Sequence, residues 1–107
     1  MSNIAYVNDS DFDNLLESES LVVVDFTATW CGPCRKVAPL LEQLATEYQN
    51  QLKVVKVDVD QNKVNAKKFG IKSIPAVLIF KSGELVETLV GIAPYEKFSQ
   101  AVQPHLG

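Results

Sequence analysis

Leu21-Val22-Val23-Val24-Asp25-Phe26 is an almost continuous apolar run broken by one aspartate. A run without alternation predicts a strand covered on both faces. Beyond it, Val37, Leu40, Leu41, Leu44, Ala45 and Tyr48 recur at helical spacing and predict an amphipathic helix that starts near Cys34. Pro39 falls inside that helix, where a kink is expected. Upstream, Ile4–Val7 reads as a short first strand. Ser10 is the expected cap of a helix carrying Phe12, Leu15 and Leu16 on one face. Downstream, Leu52–Val57 reads as a third strand, and Gln61–Phe69 as a weaker helix closed by Gly70. Ala76–Phe80 and Leu85–Val90 form two strands joined by Lys81-Ser82-Gly83-Glu84, the spacing of a hairpin. Tyr95, Phe98, Ala101 and Val102 mark a closing helix.

The resulting order is β-α-β-α-β-α-β-β-α. Alternation predicts parallel crossovers and the hairpin predicts antiparallel pairing, so an α/β fold with a mixed sheet and helices on both faces is expected. With 107 residues and no repeat or linker, residues 1–107 read as one domain able to bury a core without staples. Hydrophobic content is 47%, charged content 21% and formal net charge −3. That balance gives no electrostatic footprint for nucleic acid and no polybasic segment for a membrane surface. The apolar runs are too short to span a bilayer, and the N-terminus lacks the pattern of a secretory signal. A cytoplasmic, monomeric protein is the default expectation.

Both cysteines lie in Trp30-Cys31-Gly32-Pro33-Cys34, between the apolar strand and the long helix. Two sulfurs three residues apart at a strand-to-helix junction are placed for reversible dithiol–disulfide chemistry. Pro33 suits a first helical turn, because its missing N–H has no partner to lose. A thiolate at Cys31 would face unpaired N–H groups and the positive end of the helix dipole, which lower a thiol's pKa. Cys31 is therefore the expected nucleophile. Cys34, one turn in, is expected to be more buried and to resolve the mixed disulfide. A zinc site would need four ligands, and beyond the two sulfurs only His105 could add a nitrogen. No metal is expected.

Val24-Asp25-Phe26, the Trp30–Cys34 motif, Ala38-Pro39, Lys56-Val57-Asp58, Ile74-Pro75, Phe80-Lys81-Ser82-Gly83 and Val90-Gly91 together resemble the thioredoxin family, in the family's order and over nearly the whole chain. The resemblance implies a thioredoxin fold, a three-layer α/β/α arrangement of a five-stranded mixed sheet and four helices. It implies a general protein-disulfide reductase without a bound cofactor. Target proteins with reducible disulfides are its expected partners. An NADPH- or ferredoxin-dependent thioredoxin reductase would recharge it, since the chain has no nucleotide-binding glycine fingerprint.

Gly32 and Pro33 then tune the redox poise toward the reducing side. Burial should raise the pKa of Asp25, and the resemblance gives Asp25 the task of helping to deprotonate Cys34, with Lys56 as the opposing charge. It also implies a cis peptide at Ile74-Pro75, facing the cysteines. Trp30, Ile74, Pro75, Gly91 and Ile92 complete the expected substrate surface, with Gly91 as the small residue past which a partner chain runs closely. Thr27 and Ser73 depart from many relatives, which carry an aromatic residue and a glycine there. The rival readings are a disulfide oxidant or isomerase, separable by its reduction potential, and a non-catalytic binding subunit.

Overall fold

A computed structural model describes residues 4–107. Its elements are β1 (Ala5–Tyr6), α1 (Asp9–Ser18), β2 (Leu21–Thr27), α2 (Gly32–Glu47), β3 (Lys53–Asp58), α3 (Lys63–Lys68), β4 (Ala76–Lys81), β5 (Glu84–Val90) and α4 (Tyr95–Val102). A 3₁₀ turn, Gln103–His105, continues α4 and has no counterpart in the sequence pattern. The five strands form one sheet in the order β1-β3-β2-β4-β5. β2 pairs with β3 in parallel and with β4 antiparallel, so the apolar run sits at the centre of a mixed sheet.

The central strand feeds two cores. Leu21 and Val23 pack with Val37, Leu41 and Leu44 of α2 and Phe98 and Val102 of α4. Val22, Val24 and Phe26 face the other way, with Phe12 and Leu16 of α1 and Ala66 of α3. Every residue of Leu21–Phe26 is buried, which is why the run shows no polar alternation. This is the α/β/α fold of the thioredoxin type, as the resemblance implied.

Two local expectations change. Ser10 does not cap α1: the helix begins at Asp9, Asn8 is the extended residue before it, and Asn8 makes no side-chain capping bond. Help arrives from outside the helix, as the Asp9 backbone N–H donates to Asn62 Oδ1 at 2.9 Å. α3 is shorter than Gln61–Phe69, because Asp58 Oδ1 accepts from Asp60 N–H (2.9 Å) and Gln61 N–H (3.4 Å) and draws those residues into a turn. α2 runs from Gly32 to Glu47 with Pro39 inside it. The hairpin closes on Ser82 (φ 51°) and Gly83 (φ 84°), both left-handed as a two-residue turn of the type that matches strand twist requires.

Candidate active site

β2 delivers the chain to the carboxyl edge of the sheet, and four residues later Cys31 opens the way into α2. Cys31 holds the N-cap position, and its Sγ accepts from the Cys34 backbone N–H at 3.2 Å. A sulfur in that place takes up a helix-terminal donor that would otherwise lack a partner, and it sits at the positive end of a 16-residue helix. Cys31 and Cys34 are joined as a disulfide, with Cα atoms 5.3 Å apart.

The two cysteines are equally enclosed, each 3% exposed. The expectation that Cys34 would be the more buried is therefore corrected. Cys31 and Cys34 pack with Ala28, and Val59 and Ile74 lie against the pair. What separates the sulfurs is their surroundings. Cys34, and not Cys31, lines a cleft of about 250 Å³ with Asp25, Thr27, Thr29, Arg35 and Lys56.

Asp25 is 1% exposed, and its Oδ1 has no hydrogen-bond partner among the described residues. Burial pushes its pKa up to about 7, and the Lys56 ammonium opposes the rise. Asp25 pairs with Lys56 across the parallel ladder, so both side chains emerge on the face covered by α2. Thr27 lines the same cleft.

Of the expected contact residues, Ile74 packs against the disulfide pair and lines a shallow cleft with Trp30. The Ile74-Pro75 peptide is cis, and the Pro75 carbonyl accepts from Gly91 N–H at 2.8 Å. Gly91 has φ +89°, and a Cβ there would meet nothing within 4 Å. Backbone conformation rather than crowding within the chain thus requires glycine. Trp30 is 65% exposed and Ile92 is 55% exposed.

Several neighbours escaped the sequence reading. Asp60 Oδ2 accepts from Trp30 Nε1 at 2.8 Å, and Arg35 Nη2 donates to the Thr29 carbonyl at 2.9 Å. Tyr6 lines the Asp25 cleft from β1. Their sequence signals are ordinary: Arg35 follows Cys34 in α2, Asp60 stands in the turn after β3, and Tyr6 is an aromatic residue in a short strand that the register brings beside Lys56. His105 lies 3.3 Å from Glu87. Among the described residues, no three His, Cys, Asp or Glu side chains gather as a metal site.

Comparison with known proteins agrees with this geometry. The thioredoxin family model matches residues 3–104. The chain is 47% identical over 107 residues to thioredoxin 1 of a Nostoc species, covering 99% of this chain and all of that one. It is 46% identical over 103 residues to a thioredoxin of Staphylococcus epidermidis, with 96% and 98% of the two chains covered. Among solved structures, a mutant thioredoxin from Halobacterium salinarum superposes with a TM-score of 0.87 at 30% identity, covering 97% of this chain and 90% of that one. Sheet order, a redox disulfide at a helix start and near-full-length relatives converge, and the chain belongs to the thioredoxin family.

Proposed function

We propose that this protein is a general protein-disulfide reductase of the cytoplasm, working through Cys31 and Cys34 and recharged by a thioredoxin reductase that draws on NADPH or ferredoxin. One observation carries the reading: a disulfide at the start of α2 whose inner sulfur shares a cleft with a buried carboxyl. In the reduced protein, the Cys31 thiolate attacks one sulfur of a target disulfide. A Cys31–target bond forms, the target's own S–S bond breaks, and its second sulfur leaves as thiolate. Cys34 then gives its thiol proton to the Asp25 carboxylate and attacks Cys31 Sγ. The Cys31–Cys34 bond forms and the remaining target sulfur departs as thiolate. Two electrons pass to the target, and the carrier is left in the state described above.

An acid near pH 7 suits the proton step, since efficient transfer needs a group poised near the working pH. Lys56 is the countercharge to Asp25, Gly32 and Pro33 tune the pair's poise, and Trp30, Ile74, Pro75, Gly91 and Ile92 receive the target. The exposed Trp30 and Ile92 support that surface, which suits an extended chain laid against backbone and apolar side chains. The decisive experiment is insulin reduction driven by dithiothreitol, with two variants. Cys34→Ser should accumulate covalent target adducts and Cys31→Ser should form none. Equal trapping by both would reverse or abolish the assigned roles.

A further inference from the structure

Lys56 lies between two claimants. Its backbone pairs with Asp25 of β2 on one side and with Tyr6 of β1 on the other, and the three side chains form a row on one face of the sheet. All three line the cleft that reaches Cys34. Despite that register, no ion pair within 4.0 Å joins Lys56 to Asp25 among the described residues, and Asp25 Oδ1 is left without a donor. The ammonium instead sits 5.2 Å from the centre of the Tyr6 ring. A cation held on an aromatic face is withdrawn from a carboxylate that it could otherwise meet.

We propose that Tyr6 is a positioning residue for the proton step: its ring holds the Lys56 ammonium at the cleft mouth, off the Asp25 carboxyl, and so keeps Asp25 able to exchange a proton with Cys34. The inference rests on the reading of Asp25 given above. The other groups around Asp25 do not offer a substitute. Cys34 of α2 is tied into the disulfide, and the Arg35 guanidinium is engaged by the Thr29 carbonyl. β4 presents Val77 beside Asp25. Asp58, at the end of β3, accepts from the turn that follows it. Lys56 is thus the charge whose placement decides how strongly the carboxylate is stabilised. A close ammonium would fix Asp25 as a carboxylate with little tendency to take up a proton.

The test is the titration of the Asp25 side-chain carboxyl by carbon NMR in the oxidised protein, where neither cysteine titrates. Tyr6→Leu should move the midpoint down by about half a pH unit, as the freed ammonium turns to the carboxylate. Tyr6→Phe keeps the ring and should leave the midpoint in place. In a Lys56→Met background, Tyr6→Leu should have no effect. An unmoved or raised midpoint in Tyr6→Leu, or a shift that survives the loss of Lys56, would overturn the proposal. Asp25→Asn, assayed for target release from the mixed disulfide, tests the underlying reading separately. Undiminished release there would sink the proton role of Asp25 while leaving the Tyr6 titration result to stand.

Discussion

A carboxyl at the position of Asp25 ionises against the fold. Its pKa in the unfolded chain is near 3.8, and burial lifts it to about 7 in the folded one. Between those values the unfolded state has lost its proton while the folded state keeps it, so rising pH favours unfolding. The penalty is absent below the unfolded value, grows through the interval and is complete above the folded one. Asp25→Ala should therefore gain stability relative to the parent as pH rises, by an amount approaching ~4 kcal/mol between about pH 4 and about pH 8. Urea denaturation at a series of pH values measures this directly. A pH-independent difference would mean that Asp25 is ionised as readily in the fold as outside it. Such a cost fits a residue kept for its proton rather than for stability. Trp30 permits a second measurement at this scale. It is the sole tryptophan, it precedes Cys31 directly in the chain, and its indole N–H is held by Asp60. Its fluorescence should change when the pair is reduced.

Helix α3 illustrates what an element borrows from its neighbours. It has six residues, too few to stand alone in water. Asn62, at its N-cap, makes no side-chain capping bond. The cap comes from α1: Asp9 accepts from the backbone N–H groups of Val64 (3.0 Å) and Asn65 (3.1 Å) and from the Asn65 side-chain amide (2.8 Å). Partial burial pushes the Asp9 pKa up, but those three bonds outweigh it, and the value falls below 3.8. The sign of the linkage is opposite to that of Asp25. Stability from Asp9 is fully present above the unfolded pKa and is lost as pH falls through the lowered folded one. Asp9→Ala should cost about 1–2 kcal/mol at neutral pH, the range for lost helix caps. Hydrogen exchange should show the Val64 and Asn65 amides losing protection first. Uniform loss across the molecule would assign Asp9 to the global fold instead of to α3.

At the scale of the molecule, the disulfide is a reactive group rather than a staple. It closes a loop of only three sequence steps, and a loop so small restricts the unfolded chain little, on the order of 2 kcal/mol. Two apolar cores, one on each face of the sheet, carry the fold instead. The reduced protein should stay folded and unfold cooperatively, with a midpoint modestly below that of the oxidised form. Unfolding on reduction alone would contradict this division of labour. No helix among the described residues is long and apolar enough to cross a membrane.

The primary structure, read alone, determined the order of the elements, the centrality of Leu21–Phe26 and the pairing of Cys31 with Cys34, because each is a local pattern. Continuous burial shows as a continuous apolar run, helical packing as a 3.6-residue period, and a redox pair as two sulfurs at a junction. Tertiary structure alone decided which side chains meet. Nothing local in the sequence marks Tyr6, and it joins Lys56 and Asp25 on one face only because β1, β3 and β2 pair in one register. The cap of α3 was likewise hidden, since its acceptor lies 55 residues earlier in the chain. The equal burial of the two cysteines was also not legible from their places at the helix start. Short-range periodicity encodes what each segment buries; the long-range register, set by packing of the whole sheet, fixes the distances on which the proposed proton chemistry depends.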